Sequence, residues 1–396
     1  MKILIVTEVF EPMLGGQEKI LVELCKGLQK NGHSVRVVSG PVRPDASVSP
    51  LPPEGIHVDY YTLNTAGQIA TSNAIDGPVQ TLNAALQDFQ PDVISAHISP
   101  GIAFLLKLTE KANQNIPIAA SLHAGFEALP NATGALGYGL QRADAISAVS
   151  AATLRSVIGL LPDVASKARV IYNGLSPSSQ IPVGETRTGQ SEPVSKEIPY
   201  LVFSGRIVPE KGLATLLTSI ALLVPTFPEI RLKIVGDGPY QFALRSLADT
   251  LGITNNCDFV GWKSTDETEQ IASGAIAAIV PSIWAEPFGL VALEATAAGV
   301  PVIASRVGGL PEIIRHRHNG LLVIPGCPFS LAVAIETILK DPAMAAEMGE
   351  RGRIAGKAFS PEKMIQDYED LFSAAVTRRA SMLTANAQPV SAMGSV

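Results

Sequence analysis

Val202-Phe203-Ser204-Gly205-Arg206-Ile207-Val208-Pro209-Glu210-Lys211-Gly212 joins a short apolar run to a glycine and then sets two cations five positions apart. A brief run that is apolar on consecutive positions suits a strand buried on both faces, as in a parallel sheet. Gly205 lets the backbone approach a ligand closely. The planar fork of Arg206 and the point charge of Lys211 both suit phosphate oxygens. The same cadence of strand, glycine and helix recurs along the 396 residues. It predicts strands at 2–7, 35–39, 92–96, 117–121, 145–149 and 169–172, then a second series at 200–204, 231–235, 257–260, 277–280 and 301–304. Alternation of strands with helical patterns defines an α/β protein with parallel sheets.

The two series give a domain plan. Residues 1–175 form a first Rossmann-like, doubly wound domain and 198–360 a second, with a helix at 361–378 and a frayed tail at 381–396. Between the domains, 176–197 is rich in Ser, Pro, Gly, Thr and Glu and reads as a linker or exposed loop. Ligands of doubly wound sheets bind outside the strand C-termini, so two such sheets place a site in the cleft between domains.

Composition narrows the function. Hydrophobic residues make up 46% of the chain and mean hydropathy is +0.26, values of a packed globular protein. The net charge of −6 excludes a nucleic-acid footprint. It also gives peripheral membrane attachment little support. Cys25, Cys257 and Cys327 lack metal or disulfide spacing and fit a reducing, cytoplasmic setting. Ile3-Leu4-Ile5-Val6 stops at Thr7-Glu8, too short for a signal peptide.

A second stretch, Glu286-Pro287-Phe288-Gly289-Leu290-Val291-Ala292-Leu293-Glu294, carries two glutamates around an expected helix start. Pro287 suits the first helical position, which sets Glu286 at the entrance and Glu294 two turns in. A rise of roughly 1.5 Å per residue then separates the carboxylates by ~10 Å along the axis. The free N–H groups between them favour an anion. Carboxylates for hydroxyls at both ends and donors for phosphate in the middle suit a sugar nucleotide.

Other segments are individually weaker. Ile234-Val235-Gly236-Asp237-Gly238-Pro239 reads equally as a ligand contact or as a turn chosen for its backbone. At Phe259-Val260-Gly261-Trp262 a strand end could meet a flat base, and Gly308-Gly309 opens another helix. Met13-Leu14-Gly15-Gly16-Gln17 lacks the G-x-G-x-x-G spacing, which argues against an NAD enzyme. His97 and His123 each follow a strand end, and the ordinary reading of His97 is structural. His123 has small or polar company, and its imidazole is placed to hydrogen-bond a reacting sugar. Glu127 reads as an acceptor-side base or, more commonly for such a residue, as an exposed loop carboxylate.

Taken together, these segments resemble the retaining GT-B glycosyltransferases of family 4, over nearly the whole chain. The resemblance rests on Glu286 and Glu294, Gly205-Arg206 with Glu210-Lys211-Gly212, and Val235-Gly236-Asp237-Gly238-Pro239. It also rests on Val170-Ile171-Tyr172-Asn173-Gly174, Gly15-Gly16, and Gly299-Val300-Pro301-Val302-Ile303-Ala304 followed by Gly308-Gly309. It implies a GT-B fold with two Rossmann-like domains facing across a cleft, the second binding the donor and the first the acceptor. It implies that Arg206 and Lys211 bind the donor diphosphate and offset leaving-group charge. Glu294 would hold the ribose, and Glu286 a hydroxyl of the transferred sugar. The amides around Phe288, Gly289 and Leu290 would support sugar and phosphate, and backbone groups near Val260 the base. His123 matches the histidine near the donor sugar and Gly16 a backbone contact at the reacting centre, while the final helix returns to the first domain.

The implied reaction moves a hexose or related sugar from a nucleotide-diphosphate sugar, UDP- or GDP-linked, to an acceptor hydroxyl, with retained configuration. Such transfer serves polysaccharide, glycolipid or small glycoside synthesis, with a sugar, lipid or small molecule as acceptor. No metal and no cofactor is expected, because Arg, Lys and helix ends take the place of Mg²⁺. The alternatives are a GT-B-fold sugar-nucleotide epimerase or hydrolase, and a non-catalytic nucleotide-sugar-binding module. The acceptor would be met by loops at roughly 40–80 and 125–140, which carry no readable code.

Overall fold

The computed structural model describes residues 1–10, 16–40, 53–61, 75–125, 133–175 and 199–387. The chain divides into two compact units, Met1–Gly174 with Pro361–Val396, and Leu175–Ser360.

The first unit is built on a parallel sheet of seven strands: β1 (Lys2–Thr7), β2 (Ser34–Ser39), β3 (His57–Tyr60), β4 (Val93–His97), β5 (Ile118–Leu122), β6 (Ala145–Ala148) and β7 (Ala168–Val170). Their spatial order is 3-2-1-4-5-6-7. The order reverses between β1 and β4, where connections leave in opposite directions and a crevice opens at the strand C-termini. Every residue of β4, β5 and β6 is buried, as expected of strands covered on both faces. Strand β3 falls in the 40–80 stretch for which no strand was expected. Its four residues, His-Val-Asp-Tyr, are only partly buried at the sheet edge, so they carry no continuous apolar signal.

Helix α1 (Gly16–Lys30) buries Ile20, Leu21, Leu24, Cys25 and Leu28 at helical spacing and ends before Gly32, whose φ is +85°. The long helix α14 (Pro361–Ala387) belongs to this unit, although its sequence follows the second. Its apolar face buries Tyr368, Leu371, Phe372 and Ala375, each large side chain contributing about 1.5–3 kcal/mol. Ile365 fits against Gly27 of α1, where a Cβ would lie 2.0 Å from its Cδ1. Arg379 donates to the buried carboxylate of Asp144 at 2.9 Å, and Glu369 accepts from Asn31 at 2.9 Å. These contacts lengthen the helix beyond the expected 361–378. Residues 381–387, expected in the tail, are helical, and 388–396 lie outside the described residues.

The second unit holds a six-stranded parallel sheet: β8 (Tyr200–Ser204), β9 (Arg231–Val235), β10 (Cys257–Gly261), β11 (Ala277–Val280), β12 (Val302–Ser305) and β13 (Gly320–Val323). Its order, 10-9-8-11-12-13, repeats the Rossmann arrangement with the reversal between β8 and β11. Strand β13, buried but only four residues long, was not expected from the sequence. Helix α7 (Leu213–Leu223) buries Leu213, Leu216, Leu217 and Ile220 in the core of this unit. The expected linker at 176–197 lies outside the described residues. Among the described residues no helix is long and apolar enough to cross a membrane.

Candidate donor site and a histidine pair

Two loops leave the second sheet at its reversal, one after β8 and one after β11. The β8 loop carries Gly205, Arg206 and Lys211; the β11 loop carries Ser282, Trp284 and Glu286. They are fastened by backbone contacts, with the Ile283 N–H donating to Glu210 O at 2.9 Å. Gly212, at φ +72°, lies so close to Pro281 that a Cβ would stand 1.9 Å from its carbonyl oxygen. The tight approach brings the two charged side chains together. Lys211 Nζ donates to Glu286 Oε1 at 2.8 Å and to Oε2 at 3.0 Å.

The Glu286 carboxylate is held further by Ser282 Oγ and by Trp284 Nε1, each donating to Oε2 at 2.9 Å. The Lys211 ammonium stands 5.6 Å from the Trp284 ring centroid, within range of the ring's negative face. With side-chain exposures of 19% for Lys211 and 12% for Glu286, the pair is shielded but reachable. Arg206 differs: it is exposed, and among the described residues it has no ion-pair partner. The two loops therefore present one guanidinium without an ion-pair partner among the described residues and one ammonium partly neutralised by a carboxylate. Such a set can bind an anion and still accept a hydrogen bond from a hydroxyl.

The helix after β11 begins later than the sequence suggested. Helix α10 is Leu290–Ala297, and its N-cap is Gly289 at φ +106°. Pro287 does not start it, so Glu286 sits on the loop before the helix and the ~10 Å axial separation does not apply. A left-handed turn at Gly289 sets the start, and a side chain there would meet Leu310 Cδ2 at 2.5 Å. Glu294 remains in the second turn of α10, half-buried, and Phe288 is buried. The first N–H groups of α10, at Leu290 and the residues after it, lack intrahelical acceptors.

The glycine-rich segments have structural duties. A Cβ on Gly308 would lie 1.9 Å from Glu286 O, and the Gly309 N–H donates to that oxygen at 2.8 Å. Gly236, at φ +133°, would meet Gly205 O at 1.9 Å, and Gly238 would meet Ile207 O at 2.3 Å. Both pairs hold neighbouring loops in contact at the sheet edge, which explains their residue type without a ligand. Val260 occupies a bulge: Phe259 pairs with Ile234 and Gly261 with Val235, leaving Val260 without a partner on β9. Trp262 just beyond it is exposed.

In the first unit Gly16 is the exposed first residue of α1, while Met13, Leu14, Gly15 and Glu127 lie outside the described residues. His123 follows β5, and its Nε2 is 2.8 Å from Nδ1 of His97 at the end of β4. The other ring nitrogen of His97 lies 3.3 Å from Ser95 Oγ. Tyr368 of α14 covers His97 with a centroid separation of 6.2 Å. Burial pushes the His123 pKa down to about 4, and burial followed by the neighbouring His123 pushes that of His97 well below its ordinary value. Both rings are neutral at pH 7, so His123 acts there as a hydrogen-bonding group and not as a cation.

The sequence reading missed Ser282 and Trp284, which lie within four residues of Glu286 on an irregular loop that bends at Trp284 and so carries no periodic signal. It also separated His97 from His123. Ser95 at i−2 from His97 shares its face of β4, and that spacing was the available sign. Among the described residues no group of three His, Cys, Asp or Glu side chains could hold a metal ion.

These two sheets, with the β8 and β11 loops at the reversal of the second, define the class: a GT-B-type pair of Rossmann-like units. The crystal structure of Anabaena HepE in complex with UDP superposes with a TM-score of 0.73 at 21% identity, covering 94% of this chain and 100% of that one. The family described as "Glycosyltransferase Family 4" matches residues 14–179, and "Glycosyl transferases group 1" matches 186–355. The chain belongs to the family-4-like GT-B glycosyltransferases. N-acetyl-alpha-D-glucosaminyl L-malate synthase of Bacillus anthracis is 25% identical over 371 residues, 91% of this chain and 94% of that protein. Exopolysaccharide phosphotransferase SCO2592 of Streptomyces coelicolor is 38% identical over 180 residues, 45% of this chain but only 19% of that protein.

Proposed function

We propose that this protein transfers a sugar from a nucleotide-diphosphate sugar to an acceptor hydroxyl with retention of configuration. The observation that carries the reading is the Lys211–Glu286 pair, with Arg206 on the same loop as Lys211, where the strand order of the second sheet reverses. That is where a doubly wound sheet binds its ligand. Arg206 and Lys211 hold the diphosphate and offset the charge that grows on the leaving phosphate. Glu294 accepts from the ribose hydroxyls. Glu286, with one oxygen engaged twice by neutral donors, accepts from a hydroxyl of the transferred sugar. The amides of Phe288, Gly289 and Leu290, at the entry to α10, take sugar or phosphate oxygens, and Gly205 and Val260 line the approach of the nucleotide.

From the first unit, His123 donates a neutral hydrogen bond to the donor sugar, and Gly16 supplies a backbone contact. The leaving phosphate assists removal of the acceptor proton on the same face, so no separate carboxylate base is required. Both cations come from the protein, and turnover is expected to persist in EDTA. UDP-sugars and GDP-sugars are the first donors to try. HepE was crystallised with UDP, and its fold is shared.

A panel of UDP-, GDP- and ADP-sugars, read by thermal stabilisation and by release of nucleoside diphosphate, tests the reading. One donor should raise the melting temperature and be consumed only when an acceptor is added. Release of free sugar without acceptor would identify a hydrolase, and stabilisation without any turnover a binding module. No stabilisation by any donor contradicts the proposal.

A further inference from the structure

The first unit contains a hydrogen-bonded row that the donor chemistry leaves unused. Ser95 and His97 lie two apart on β4 and share a face of the strand. In register, His97 stands beside Ser121 of β5, and Ser121 beside Ser147 of β6. Ser95, His97, Ser121, Ser147 and Tyr368 are all essentially buried, each no more than 2% exposed. Ser147 Oγ donates to Ser121 Oγ at 3.0 Å, and the Tyr368 hydroxyl is hydrogen-bonded to both serines. Tyr368 is thus satisfied elsewhere and covers His97 only with its ring.

The direction of the remaining bonds follows from proton counting. Ser95 Oγ has one hydrogen-bond partner among the described residues, His97 Nε2. If His97 donated to Ser95, the serine proton would be buried with no acceptor, at a penalty of roughly 1–3 kcal/mol. Ser95 therefore donates. His97 then carries its own proton on Nδ1 and donates it to His123 Nε2 across 2.8 Å. A neutral His123 whose Nε2 accepts must bear its proton on Nδ1, and among the described residues that atom has no partner.

We infer that Ser95 and His97 are positioning residues that lock His123 as the Nδ1–H tautomer and aim it as a neutral hydrogen-bond donor. The depressed pKa of both rings agrees, since a protonated His123 would carry hydrogen on both nitrogens and collide with the His97 proton. The role of His123 toward the donor sugar rests on the function proposed above, whereas the tautomer does not. A wrong or mixed tautomer would present a lone pair where a donor is needed.

Long-range nitrogen–proton NMR correlation on the full-length, 15N-histidine-labelled protein at pH 7 reads the tautomers directly, whatever the protein catalyses. His97 and His123 should both show protonated Nδ1 and bare Nε2. In His97→Leu the His123 signals should shift toward a tautomer mixture. With the donor that proves active, kcat should fall roughly tenfold or more while donor KM stays within about twofold. His97→Asn, whose amide nitrogen can replace the Nδ1–H donor, should restore most of kcat and the Nδ1–H form of His123. If His97→Leu does not fold, Ser95→Ala tests the same order, because losing the serine donor frees His97 to change tautomer. An Nε2–H tautomer of His123 in the native protein overturns the inference. So does a His123 tautomer that both substitutions leave unchanged.

Discussion

The C-terminal edges of the two sheets hold opposite chemistry. On the second, a lysine and a glutamate are paired, and an arginine of the same loop has no ion-pair partner among the described residues, all within reach of solvent. On the first, buried His97 and half-buried His123 share one hydrogen-bonded proton and stay uncharged at pH 7. Under the proposed function the contrast separates two tasks of the transfer. Fixed charge belongs where a diphosphate is held and departs. A neutral donor belongs where a sugar hydroxyl must be oriented without attracting the phosphate.

The largest expected effect tests the charged edge. In the proposed reaction Lys211→Ala takes a cation from the leaving group and, among the described residues, leaves Glu286 with only the side-chain donors Ser282 and Trp284, so kcat/KM should fall about 10²- to 10³-fold. A drop under tenfold, measured with saturating acceptor, would remove Lys211 from the leaving-group role.

The neutral edge should reveal itself by its response to acid. In the folded protein His123 titrates near 4, against an ordinary value of 6.5, so the unfolded chain takes up its proton first as the pH falls. Its contribution to stability is fully present above pH 6.5 and is lost between 6.5 and about 4. For His123 alone the loss is on the order of 3 kcal/mol; His97 acts in the same direction. Urea denaturation of the native protein and His123→Gln at pH 7.5 and 4.5 checks this. The substitution should flatten the difference between the two pH values, and an unchanged pH slope would mean that His123 is not held neutral.

The contrast between edges also explains what the sequence could convey. Buried parallel strands such as Ile3-Leu4-Ile5-Val6 and Ala277-Ala278-Ile279-Val280 announce themselves because burial on both faces demands unbroken apolar runs. The edge strand His57–Tyr60 has no such demand and stayed hidden. Arg206, Lys211 and Glu286 were readable as charged residues on loops that follow strands. The direct contact of Lys211 with Glu286 was not, because it depends on Gly212 pressed against Pro281 some seventy positions away in the chain. The start of α10 was misplaced for a related reason. Pro287 satisfies a local preference, but Gly289 takes a left-handed turn, and Leu310 packs where a side chain on it would stand. His97 looked structural by itself; only the register of β4 against β5 brings it to His123.

The central claim is that the second unit's edge binds the nucleoside diphosphate and the first unit's histidine does not. Dissociation constants for UDP, GDP and ADP should be measured by calorimetry on the native protein, Glu294→Ala and His123→Gln. For the diphosphate that binds best, Glu294→Ala should weaken binding roughly tenfold or more through loss of charge-assisted bonds to the ribose. His123→Gln should leave it within about twofold. Equal weakening by both substitutions, or by neither, would contradict the account.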